Sequence, residues 1–103
     1  MNLVCRLDDL PEAQAQRFVI DGRPVAVVRL GETVHAIDDT CSHAKVSLSE
    51  GEVWPEACTL ECPKHGSAFN LTTGEPDTLP ATMPVAVHQV TVVDGEVHIE
   101  VTS

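Results

Sequence analysis

A chain of 103 residues has room for one modest core and none for a catalytic domain beside a cofactor domain, so a single domain over 1–103 is expected. Hydrophobic residues make up 43%, which argues against disorder, and with two Phe, one Trp and no Tyr the core must rest on Val, Leu, Ile and Ala. A formal net charge of −10 is repelled by phosphate backbones and excludes nucleic acid as an expected partner. The same acidity suits solubility and transient docking on a basic patch of a larger protein.

The N-terminal residues Met1-Asn2-Leu3-Val4-Cys5-Arg6 lack a basic region followed by a long apolar stretch. The longest apolar run, 24–28, is far too short to span a bilayer. A cytoplasmic protein without a membrane partner is therefore expected. One turn of helix over 10–16 has little apolar periodicity to support it. A strand is predicted over 15–20, followed by the hairpin turn Asp21-Gly22. Further strands are predicted over 24–30, ended by Gly31-Glu32, and over 33–38. Near the C-terminus, strands over 85–93 and 96–101 flank a second turn, Asp94-Gly95. In the last strand Val97, Ile99 and Val101 share one face and Glu96, His98 and Glu100 the other, the period of a half-buried strand. The fold class is all-β, a small sandwich or barrel.

Between about 40 and 80 the strand-like runs shrink, and Pro55, Pro63, Pro76 and Pro80 interrupt the chain. So long a loop-rich stretch inside a compact domain points to function. It holds Cys41-Ser42-His43, then eighteen residues, then Cys62-Pro63-Lys64-His65-Gly66-Ser67. Each half pairs a soft thiolate with an imidazole at a spacing that lets a loop present both to metal. Two disulfides would need an oxidising compartment, so metal is the better reading of these cysteines. A Cys₂His₂ zinc site is chemically acceptable, although zinc sites usually group Cys with Cys and His with His.

The pattern Cys-x-His … Cys-x-x-His resembles the Rieske [2Fe–2S] proteins. Leu48-Ser49-Glu50-Gly51, the Cys62-Pro63-x-His65-Gly66-Ser67-x-Phe69 run and Thr73-Gly74 before Pro76 extend the resemblance, which covers roughly residues 25–101. It implies a small β-sandwich or barrel with an inserted cluster-binding subdomain of two loops at about 40–80. It also implies that Cys41 and Cys62 ligate one iron of a [2Fe–2S] cluster and His43 and His65 the other. The interval between the loops is slightly longer than is usual in the family, and the extra residue is expected within 53–57.

Neutral imidazoles in place of two anionic thiolates make added negative charge less costly, so the potential exceeds that of an all-Cys cluster. Respiratory-type members carry an extra Cys in each loop, where this chain has Val46 and Lys64, and a Tyr where it has Phe69. Only Ser67 remains to donate a hydrogen bond to the cluster sulfides. The resemblance thus implies a potential near the low end of the Rieske span, about −150 mV.

With no catalytic site of its own, the protein is expected to be an electron carrier and not an enzyme. The function implied is a monomeric ferredoxin, taking electrons from a flavin-dependent reductase and delivering them to a partner such as a terminal ring-hydroxylating oxygenase. The alternatives are an accessory or redox-sensing protein tied to iron–sulfur assembly, and the small subunit of a nitrite-type reductase. Cys5 and Cys58 are expected to be small core residues. His35, His88 and His98 are expected to be exposed or satisfied locally. Trp54 is expected to pack near the base of the cluster loops, and Lys45 and Lys64 to be solvated or to tune the site.

Overall fold

The computed structural model describes residues 2–40, 46–63, 66–76 and 83–101. Among these, strands β1 (Asn2–Arg6), β2 (Ala15–Ile20), β3 (Arg23–Leu30), β4 (Thr33–Asp38), β8 (Val87–Val93) and β9 (Glu96–Glu100) form one antiparallel sheet in the order β1-β9-β8-β4-β3-β2. Strands β5 (Val53–Trp54), β6 (Thr59–Glu61) and β7 (Ala68–Asn70) form a second sheet in the order β5-β6-β7. The edges β1 and β2 of the large sheet face each other across a groove lined by Leu3, Val4, Phe18, Val19 and Ile20, so the sheet curls toward a barrel.

The predicted hairpins form for the predicted reason. Asp21 and Gly22 lie at φ +52° and +78°, and Asp94 and Gly95 at +51° and +75°. Positive φ at both central residues matches the right-handed twist of the paired strands, and Asp-Gly tolerates it. The helical turn considered over 10–16 does not form. A single 3-10 turn occupies Leu7–Asp9 instead, and Ala13 adopts φ +55°.

β3 explains how two layers become one protein. Val25, Ala26, Val27 and Val28 are all completely buried, because both faces of this central strand are covered. Val25 and Val27 face one core with Leu10, Val34, Ala36, Val97 and Ile99. Ala26 and Val28 face the other with Ile37, Leu48, Leu60, Cys62, Phe69 and Leu71. Alternation along a strand sends successive side chains to opposite faces, so one apolar run holds the small sheet against the large one. Each fully buried aliphatic side chain contributes about 1.5–3 kcal/mol relative to exposure.

Candidate metal centre

The chain leaves β4 into the first candidate loop, and at the stem of that loop Thr40 and Ser47 form an antiparallel bridge. The amide of Leu48 donates to the Asp39 carbonyl, and Leu48 is completely buried. The buried Asp39 carboxylate accepts from the Ser47 hydroxyl and, at 2.9 Å, from the Ser49 amide. Arg17 Nε of β2 lies 3.3 Å from the same carboxylate. One residue earlier, Asp38 accepts two 2.9 Å bonds from Arg23, and His88 Nε2 donates to its Oδ1 at 2.8 Å. Bonding and charge from Asp38 hold the Arg23 guanidinium above its ordinary pKa.

The second loop closes on itself. The Cys62 amide donates to the Ser67 carbonyl at 2.7 Å, and the Gly66 amide donates to the Cys62 carbonyl at 3.0 Å. Gly66 sits at φ +73°, a conformation that glycine adopts without Cβ strain. Cys62 and Ser67 are both completely buried.

The two stems are fixed to each other. The Glu61 amide donates to the Glu52 carbonyl at 2.8 Å, and a Cβ on Gly51 would lie 1.7 Å from the Glu61 carbonyl oxygen. Only glycine permits that approach, and it ties the exit of the first loop to the residue before Cys62. On the other flank, the Val85 amide donates to the Gly74 carbonyl at 2.8 Å.

Of the four expected ligands, Cys62 is described and stands at the mouth of the closed second loop. Cys41, His43 and His65 lie outside the described residues, as do Lys45 and Lys64. The donor chemistry fits a [2Fe–2S] cluster: Cys62 offers a buried sulfur donor, and the Cys-x-His segment belongs to a loop whose stem is fastened to that of Cys62. Val46 is half-buried against the core that contains Cys62, and Phe69 is completely buried in it.

Other residues behave as bystanders. Cys5 and Cys58 are half-buried, each against a core, rather than fully enclosed. Cys58 Sγ lies 3.8 Å from both His35 Nε2 and Thr72 Oγ1. Burial pushes the His35 imidazole pKa down and, with Asp9 adding to it, pushes the Cys5 thiol up. His88 is buried on Asp38, and His98 Nε2 lies 3.7 Å from Glu96 Oε1. Trp54 departs from expectation. Its neighbour Val53 takes the inward face of the two-residue β5, so Trp54 points outward, 46% exposed, opposite Thr59 at the hairpin end away from Cys62. Sequence reasoning did not single out Arg17, Arg23, Asp38 and Asp39. The consecutive aspartates just before Cys41 were the available signal.

Comparison with known proteins agrees with this architecture. The family description "Rieske [2Fe-2S] domain" matches residues 1–91. The chain is 40% identical over 97 residues to ferredoxin CarAc of Metapseudomonas resinovorans, covering 93% of this chain and 89% of that protein. It superimposes on the ferredoxin of carbazole 1,9a-dioxygenase from Nocardioides aromaticivorans IC177 with a TM-score of 0.93, at 38% identity, over 95% of this chain and 94% of the other. A ferredoxin solved in complex with the reduced oxygenase of carbazole 1,9a-dioxygenase gives a TM-score of 0.88 at 39% identity, over 96% of this chain and 100% of that one. The chain therefore belongs to the Rieske [2Fe-2S] family, and it is a ferredoxin, a carrier of electrons rather than a catalyst.

Proposed function

We propose that this ferredoxin serves a multicomponent ring-hydroxylating dioxygenase, taking electrons singly from a flavin-dependent reductase and handing them to the terminal oxygenase. The observation that carries the reading is the near full-length match to a ferredoxin solved on its oxygenase. When bound, the [2Fe–2S] cluster takes up and releases one electron. Cys41 and Cys62 would hold one iron, and His43 and His65 would hold the other. The protein's contribution is to fix two loops, within a cluster-binding subdomain at about 40–80, against a rigid sheet so that the ligands need not reorganise. A monomer in the cytoplasm fits this role, and a net charge of −10 disfavours self-association.

The test is reconstitution. Purified protein is mixed with a flavin reductase, a nicotinamide donor and the terminal oxygenase of a ring-hydroxylating dioxygenase, and substrate-coupled oxygen uptake is followed. Uptake should require all three proteins. Full oxygenase turnover without this chain, or no transfer from its reduced form, would overturn the reading.

A further inference from the structure

The first cluster loop leaves the sheet through two successive carboxylates with different surroundings. Asp38 has both oxygens engaged, by the two Arg23 bonds and by His88. Asp39 is 3% exposed, and its cationic partner among the described residues is Arg17, which is itself 52% exposed. Its other donors, the Ser47 hydroxyl and the Ser49 amide, are neutral. The Asp39 backbone is engaged as well: its amide donates to the Pro24 carbonyl at 3.2 Å, and its carbonyl accepts from Leu48. One residue thus ties the strand that enters the loop to the segment 47–49 that leaves it, two positions before Cys41.

We propose that Asp39 is a positioning residue for the cluster: its carboxylate fastens together the two stems of the first loop and keeps a partly compensated negative charge two residues from Cys41, which lowers the reduction potential. This rests on the assignment of Cys41 as a ligand. Reduction adds one negative charge to the cluster, and a nearby carboxylate opposes it. A buried charge is screened far less than an exposed one. Arg17 offsets the carboxylate only in part, because solvent screens the exposed guanidinium more than the buried oxygen it faces. The two side chains therefore act on the potential with opposite signs, which a purely structural role does not produce.

The experiment compares wild type, Asp39→Asn, Arg17→Gln and Ser47→Ala by film voltammetry at neutral pH and by electron paramagnetic resonance of the reduced proteins. Asp39→Asn keeps an oxygen for the Ser49 amide and removes the charge, so the potential should rise. Arg17→Gln should lower it by a smaller amount, with wild-type g values in both. Ser47→Ala leaves the charge and removes one bond of the clasp, so cluster absorbance should be lost faster on heating. A fall or no change in Asp39→Asn, or both charge variants moving together, overturns the electrostatic role. If Asp39→Asn assembles no cluster, Arg17→Gln decides alone, and an unlowered potential there overturns it. Unchanged heat loss in Ser47→Ala overturns the clasp. A wild-type protein without the Rieske signal would overturn the ligand assignment instead, whatever the variants do.

Discussion

A completely buried thiol immediately after the end of the short β6 strand is poorly placed for surface chemistry and well placed to anchor a cluster. Replacement of Cys41, His43, Cys62 or His65 by Ala should abolish the visible cluster spectrum, and the loops should loosen because cluster binding and folding are coupled. Cys58→Ser should keep the spectrum. Absorbance and iron content check both, and loss of the cluster in Cys58→Ser with retention in His43→Ala would reverse the assignment. Phe69 has no hydroxyl to donate, and hydrogen bonds to cluster sulfur favour the reduced, more negative state. The wild-type potential should accordingly lie near the low end of the Rieske span, about −150 mV, and voltammetry above roughly +150 mV would reopen a respiratory role. His35 offers a pH test with a definite sign. Its imidazole pKa is lowered by burial from the ordinary 6.5. The unfolded chain therefore binds the proton more readily, and stability is lost as pH falls from about 6.5 through the lowered folded value. Replacing His35 with Gln should remove that contribution. The gap between the thermal midpoints of wild type and variant should shift against wild type as pH drops from 8 to 5, and a gap constant with pH would show that His35 is not the titrating group.

Among the elements, the Gly51 approach is the most demanding joint, since it brings the backbone after the 3-10 turn Leu48–Glu50 onto the last residue of β6. Gly51→Ala drives a methyl group against a backbone carbonyl, which no rotamer change relieves. Overpacking of this kind costs about 1–3 kcal/mol, so the thermal midpoint should fall and the cluster should be lost earlier on heating. An unchanged midpoint would mean that the two stems are free to slide. This joint also marks where legibility in the sequence ended. The hairpins at Asp21-Gly22 and Asp94-Gly95 were readable because turn chemistry and period-two alternation are local properties. β5, β6 and β7 were not, since strands of two or three residues have too few positions to display a period, and Pro55 and Pro63 break the run. β1 was missed for a related reason: its pairing with β9 shifts register between Leu3 and Cys5, which disrupts the alternation that would reveal it. The candidate ligands stand out in the sequence because metal ligation needs particular side chains at particular spacings, although only Cys62 of the four lies among the described residues. The Asp39 clasp does not stand out, because Arg17 reaches it from another strand.

At the scale of the whole molecule, the charge imbalance is the property that a partner meets first. Sixteen Asp and Glu against six Lys and Arg leave a net charge of −10 on a body whose Cα radius of gyration is 12.4 Å. Several of those few cations are already engaged: Arg23 by Asp38, Arg17 by Asp39, and Arg29 by the carbonyls of Leu7, Leu10 and Gly31. The long-range field is therefore negative, and encounter with a partner that presents a basic docking face should be accelerated by charge. A carrier that must bind, transfer one electron and leave gains from this form of attraction. Steering raises the rate of arrival without the large buried interface that would slow departure. Exposed charges are screened over about 8 Å at physiological ionic strength and over longer distances in dilute salt. The second-order rate of electron transfer from the reduced ferredoxin to its oxygenase, followed by stopped-flow bleaching of the cluster, should fall steadily as salt rises from dilute buffer, while the rate within the preformed complex changes little. If the second-order rate does not depend on salt, the acidity serves solubility alone and docking is governed by short-range contacts.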